Sequence, residues 1–262
     1  MSRIDEVGDE VSGGYILITG ASGGFGYEFA RQLEAAGACL ILHGRDTARL
    51  QLTLDGLKHP HRHCCLIADL SQRKSVDTFV DSVQATGKII GLVNNAGFGI
   101  WGKFELCESV AQLDVLRTDL IAPVSITHAL LPELIRNHGF IINVSSLAGE
   151  TPLPYMSTYA AAKAGLTYWS EALRVEIDGK VRVVTLAPGP SPTGFRDVSG
   201  APKGKGSSFR TSAEVVVSSS LETLQRGGGY CVPGWRHSLL WLMQKLTPRK
   251  LSLKLMAGYL KP

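Results

Sequence analysis

The sequence predicts an α/β fold: a doubly wound parallel sheet of about seven strands, with helices on both faces, in a single domain. Three observations carry this. Short continuous apolar runs recur along the chain, as in strands buried on both faces. Segments of helical periodicity separate them, at the spacing of parallel βαβ units. The 262 residues, 44% hydrophobic and 19% charged, suffice for one large core.

Residues 1–13 are polar and read as a flexible N-terminus. Tyr15–Thr19 is the first strand, followed by the glycine-rich Gly20-Ala-Ser-Gly-Gly-Phe-Gly26 and a helix over Tyr27–Ala36 that Gly37 closes. Cys39–His43 is the second strand. Asp46 is a candidate N-cap for a helix over Thr47–Leu57. His63–Ala68 is the third strand, and Ser71 can cap a helix over Ser71–Ala85. Ile89–Val93 is the fourth, closed by Asn94-Asn-Ala-Gly97; a long apolar-periodic stretch then runs from about Val110 to Ile135. Phe140–Val144, a long helix over Tyr155–Glu176 and Val181–Ala187 complete the alternation. Residues 194–210 are rich in Gly, Ser and Pro and read as a flexible substrate loop inside the domain of residues 14–235. Ser212–Arg226 reads as helix and Tyr230–Val232 as a last strand.

Net charge is +4, too mild to imply a nucleic-acid partner. Arg236–Pro262 nevertheless holds six Lys and Arg and no Asp or Glu. This basic, amphipathic extension is divided by Pro248 into two short helices. Its apolar face either covers the substrate pocket or a partner subunit, which we favour, or rests peripherally on an anionic membrane surface. Five cysteines, an odd number, two of them in strand-like settings, suggest reduced thiols and a cytoplasmic location. No signal peptide and no apolar run long enough to span a membrane are visible. His59-Pro-His-Arg-His-Cys-Cys65 resembles a metal cluster, but adjacent strand cysteines point to opposite faces, so no metal site is expected.

Chemistry concentrates at Tyr159 and Lys163, four residues apart and therefore on one helix face. A cation beside a phenol favours the phenolate and lowers its pKa. Such a tyrosine can give a proton to a carbonyl oxygen or take one from an alcohol. Ser146, just past a strand, can hold the same oxygen. The glycine-rich turn between strand and helix permits close approach of a phosphate to a helix N-terminus. Arg45 follows the second strand, where a dinucleotide places its adenosine ribose; a guanidinium there suits a 2′-phosphate, so NADP(H) is expected over NAD(H). Asp69 can meet the adenine edge or serve as a helix N-terminal acid.

These motifs, in this order and spacing, resemble the short-chain dehydrogenase/reductase family over essentially the whole chain. They are Thr19-Gly-x-x-x-Gly-x-Gly26, Asp69-Leu70, Asn94-Asn-Ala-Gly97, Ser146, Tyr159-x-x-x-Lys163 and Pro188-Gly189 through Thr193. The resemblance implies a Rossmann sheet, a nicotinamide cofactor and a small carbonyl or alcohol substrate. It implies that Ser146 orients the substrate oxygen, that Tyr159 is the acid/base, and that Lys163 binds the nicotinamide ribose and lowers the tyrosine's pKa. It implies a cofactor site of Gly20, Ser22, Gly24, Phe25, Gly26, Arg45, Asp69, Leu70, Asn94, Ala96, Gly97, Tyr159, Lys163, Pro188, Gly189 and Thr193, with Thr193 near the carboxamide. Homo-oligomers are common in the family, and similar tails follow a Val-Pro-Gly segment in some of its reductases, here Val232-Pro-Gly234. One position departs from the pattern. Asp119 stands where the family usually has an asparagine that supports the proton path to the lysine. Asp119 therefore joins Ser146, Tyr159 and Lys163 as a catalytic candidate. Its carboxylate, if close, favours charged Lys163.

The flanks suggest a substrate pocket that includes Phe98, Trp101, Met156 and the 190–211 loop, apolar enough for a lipophilic or acyl-chain ketone. Two other functions use the same fold: an NADP(H)-holding sensor or scaffold whose chemistry Asp119 impairs, and an epimerase or alkene reductase.

Overall fold

The computed structural model describes residues 13–177, 179–201 and 210–261. Most of the proposed flexible N-terminus (1–12) and the centre of the substrate loop (202–209) lie outside the described residues.

Seven strands form one parallel sheet: β1 (Tyr15–Ile18), β2 (Cys39–Gly44), β3 (Cys64–Ile67), β4 (Ile89–Asn94), β5 (Phe140–Val144), β6 (Arg182–Leu186) and β7 (Gly229–Cys231). The order is β3-β2-β1-β4-β5-β6-β7, so the winding reverses between β1 and β4. In open sheets of this kind ligands bind at that switch point, beyond the carboxyl ends of the strands.

The helices are α1 (Gly24–Ala35), α2 (Thr47–Asp55), α3 (Arg73–Thr86), α4 (Ser109–Leu116), α5 (Ala122–Arg136), α6 (Ser157–Glu176), α7 (Phe195–Ser199), α8 (Ala213–Gln225), α9 (Trp235–Leu246) and α10 (Arg249–Leu260). Successive strand residues feed opposite faces. Ile16, Ile18, Leu40 and Leu42 pack in one core with Phe29, Leu33, Val216 and Val217 from α1 and α8. Leu17, Ile41 and Leu92 pack in a second with Phe79, Val83, Ile126 and Leu130 from α3 and α5. Burial on both sides explains why the strands read as unbroken apolar runs.

Boundaries depart from the sequence reading in three informative places. Ser71 does not cap α3: the helix begins after Gln72, and the Ser71 N–H donates to Asp69 Oδ1 at 3.0 Å. His63 stands outside β3 because its side chain is engaged elsewhere: Nδ1 accepts the Leu40 N–H at 3.2 Å, and Nε2 lies 3.3 Å from Glu34. The long stretch from Val110 is not one regular helix. A π-helical segment, Arg117–Ile121, joins α4 to α5, with the Ala122 N–H donating to the Arg117 carbonyl. Asp46 does cap α2, accepting the Arg49 N–H at 3.0 Å. Pro248 does divide the tail into two helices. Part of the proposed substrate loop is ordered as the short helix α7.

Candidate active site

The glycine turn is tied down from two sides. Thr19 Oγ1 accepts the main-chain N–H of Asn95 (2.9 Å) and of Ala96 (3.0 Å), and Asn95 Nδ2 donates to the carbonyls of Thr19 and Gly20. From β2, His43 Nδ1 accepts the Gly20 N–H at 3.3 Å while Nε2 faces the Ala68 carbonyl at 3.1 Å. That pattern requires the proton on Nε2. Burial holds the His43 pKa down to about 4, with Arg45's charge adding to the effect.

The turn fits a dinucleotide phosphate. Gly20 and Gly24 have φ of +66° and +54°, which side chains disfavour. A Cβ on Gly26 would strike the Gly20 carbonyl, and one on Gly24 would lie 2.9 Å from Thr193 Cβ. Gly23 precedes α1 without a capping side chain, leaving first-turn N–H groups for an anion. Ser22 and Phe25 flank the turn half-buried, Phe25 against the core.

Arg45 is exposed at the end of β2, with its guanidinium 5.5 Å from the Phe98 ring centre. The Phe98 ring thus faces Arg45, while its main-chain N–H faces Asp119. Arg49, which the sequence reading misses, reaches from α2 to within 3.4 Å of the Ser22 carbonyl.

Two further cofactor candidates need correction. Asn94 is 2% exposed, and its amide donates to Thr127 Oγ1 (3.0 Å) and Asn143 Oδ1 (2.8 Å), so its side chain fastens β4 to its neighbours rather than lining the cleft. Leu70 points into the core, which leaves its main chain alone for a ligand. Asp69 is exposed. Gly97 is exposed at the cleft, and Ala96 is half-buried beside the turn. Pro188 accepts the Leu147 N–H, and Gly189 packs on the His237 ring. His237, 1% exposed and also missed, supports the segment that carries Thr193.

The acid/base residues converge at the ends of β5 and α6. Lys163 is 4% exposed; its ammonium donates to the Val144 carbonyl at 3.0 Å and lies 3.2 Å from Asp119 Oδ2. Asp119, fully buried, also accepts the Phe98 N–H at 2.9 Å. The π-helical segment carries Asp119; such segments cluster at functional sites. Pro123 has no N–H to offer the Asp119 carbonyl four residues back. An ammonium has three donors, so one N–H of Lys163 remains beyond these two partners. Gly97 covers the pair: a Cβ there would lie 2.6 Å from Asp119 Oδ2 and 3.1 Å from Lys163 Nζ.

Burial pushes the Asp119 carboxyl up, against the pull of Lys163 and the Phe98 N–H. Burial also pushes the Tyr159 phenol above the ordinary tyrosine range; the Asp119 carboxylate adds to this, and the Ser146 hydroxyl opposes it. In this arrangement the Lys163 charge does not offset the burial. The ammonium is 5.8 Å from the Tyr159 ring centre, and Asp119 partners its charge.

Ser146 lies just past β5, where its Oγ accepts the Ala148 N–H at 3.1 Å. Phe195 lies 5.0 Å from Tyr159, centre to centre. A Cβ on Gly99 would meet Phe195, Met156 and Tyr159 within 3.3 Å, so these side chains form one wall. Phe195 is absent from the sequence-based pocket. Trp101 sits at its edge, with its indole N–H donating to the Leu260 carbonyl at 2.8 Å and its main-chain N–H to Ser199. The tail therefore reaches the pocket rim. Among the described residues, no group of three His, Cys, Asp or Glu is placed to hold a metal.

A family model described as short chain dehydrogenase matches residues 14–203. The chain is similar to Dehydrogenase/reductase SDR family member 7B of Danio rerio, at 35% identity over 184 residues, 66% of this chain and 60% of the relative. It is 35% identical to Sulfoacetaldehyde reductase 2 of Chromohalobacter salexigens over 188 residues, 69% of this chain and 73% of that one. The chain thus spans about 60% of the length of the first of these relatives. In fold it resembles a short-chain dehydrogenase from Sphingobium yanoikuyae solved in complex with NADPH, with TM-score 0.80, 23% identity and coverage of 91% and 94% of the two chains. A 7beta-hydroxysteroid dehydrogenase is similar at TM-score 0.83 and 21% identity, over 95% and 98%. The chain belongs to the short-chain dehydrogenase family.

Proposed function

We propose that the protein is an NADP(H)-dependent oxidoreductase that interconverts a ketone or aldehyde with its alcohol, using Tyr159 as the acid/base. The observation that carries this reading is the convergence of Ser146, Tyr159 and the Lys163–Asp119 pair at the same sheet end as the glycine turn. The bound nicotinamide would supply or accept the hydride. Ser146 would donate to the substrate oxygen, and Tyr159 would give that oxygen its proton during reduction. The remaining N–H of Lys163 would hold a ribose hydroxyl. Arg45 and Arg49, the two guanidiniums near the adenosine end, support a 2′-phosphate and so NADP(H). Met156 and Phe195 beside Tyr159 support a lipophilic substrate. Exposed Leu113, Ile121, Tyr168 and Val175 support a homo-oligomer.

One observation favours a second reading, a protein that holds the cofactor without turnover: the Asp119 carboxylate pairs with the Lys163 ammonium that would otherwise act on Tyr159 alone. Turnover of a graded series of ketones and aldehydes with NADPH and NADH, with product analysis, separates the readings. Alcohol formation faster with NADPH supports the proposal. Binding of NADPH without turnover selects the second reading. Products of epimerisation or alkene reduction would overturn both.

A further inference from the structure

Each of the two tail helices leaves a row of apolar residues exposed. On α9, Trp235, Leu239, Leu242, Met243 and Leu246 recur at the spacing of one helical stripe, and all are exposed, Leu246 to 75%. On α10, Leu251, Leu255 and Tyr259 form a second exposed row. The anchored sides hold Trp241, whose ring lies 5.8 Å from that of Tyr230, His237 beneath Gly189, Ser252, and the Leu260 carbonyl on Trp101. Exposed Lys245, Arg249, Lys250, Lys254 and Lys261 accompany the apolar rows, and no acidic residue occurs from Arg236 onward.

We propose that this face of α9 and α10 docks on an anionic lipid bilayer. Apolar stripes flanked by long cationic side chains, with tryptophan at one end, suit the boundary between headgroups and acyl chains. A second copy of the chain suits the face less well. An isologous contact would set the same all-cationic segment against itself, whereas a bilayer rich in acidic headgroups is complementary to it. Docking would also bring the pocket rim at Trp101 beside the lipid. The inference does not depend on the reaction proposed above.

The test is co-sedimentation of the full chain with vesicles of phosphatidylcholine alone and of phosphatidylcholine mixed with phosphatidylglycerol, at low and high salt. Binding to the mixed vesicles, weakened by salt, is the expected result. Lys250→Glu with Lys254→Glu, both at exposed positions, should weaken it roughly thirtyfold. Leu242→Glu with Leu246→Glu should also reduce it, with an unchanged circular dichroism spectrum. Failure to sediment with the mixed vesicles at low salt would overturn the proposal, as would equal binding by the charge-reversed variant. So would a concentration-dependent dimer, lost in Leu242→Glu with Leu246→Glu, in a protein that does not bind vesicles.

Discussion

The Asp119 carboxylate lies 3.2 Å from the Lys163 ammonium, and neither group has appreciable contact with solvent. A neutral amide at position 119 would leave the lysine's charge to act on Tyr159 alone. The carboxylate instead partners that charge and disfavours the phenolate. Alcohol oxidation needs the phenolate as base, so its rate rises with pH through the tyrosine's titration. In Asp119→Asn the rising limb should move to lower pH by on the order of one unit. The kcat/KM pH profile of wild type and variant checks this. Coincident profiles would mean that the carboxylate has no electrostatic role.

The pair should also be coupled in stability. Removing one partner of a buried ion pair costs about 3–5 kcal/mol, because the other charge is left uncompensated. Asp119→Asn and Lys163→Met should each approach that loss, and the double variant should lose clearly less than the sum. Urea unfolding of the four proteins measures the coupling.

His43 makes stability sensitive to acid. Its pKa of about 4 in the fold lies below the ordinary 6.5, so its contribution is intact above pH 6.5 and is lost as pH falls towards 4. From pH 7 to pH 5 the loss attributable to this group is roughly 2 kcal/mol. His43→Asn removes the titrating ring while retaining polar atoms to face the Gly20 N–H. Unfolding free energies from urea titrations at the two pH values should converge in that variant by about this amount.

Arg45 sets the cofactor preference on this account. Arg45→Ala should weaken NADPH binding roughly tenfold or more and leave NADH binding nearly unchanged. Thermal stabilisation at matched cofactor concentrations reports both. If NADH stabilises the wild type as strongly as NADPH, the assignment fails. Arg49→Ala tests whether the second guanidinium shares the role.

The glycine turn, the alternation of strands and the Tyr159–Lys163 face were legible because each rests on local spacing. What the sequence left hidden was direction and distance. Asn94 ends a strand buried on both faces, so period-two patterning could not say which way its amide points. The sequence could not show that the Phe98 ring lies beside Arg45, a partner 53 positions earlier in the chain. His43 read as the end of an apolar strand, although its ring supports the glycine turn of the neighbouring strand. The π-helical segment has no periodicity signal of its own, since one extra residue within a long helix shifts the pattern only slightly. It is this segment that carries Asp119, so the contact with Lys163 was conceivable from sequence but not locatable.

The most direct test of the central claim is Tyr159→Phe, which removes one hydroxyl and keeps the ring that packs on Phe195. Oxidation of NADPH by the best carbonyl substrate should be followed under single-turnover conditions, with cofactor affinity measured separately. The account predicts a rate loss of about a thousandfold with NADPH affinity within a factor of about three. A variant that retained the wild-type rate would contradict it, because the proton would then come from another group.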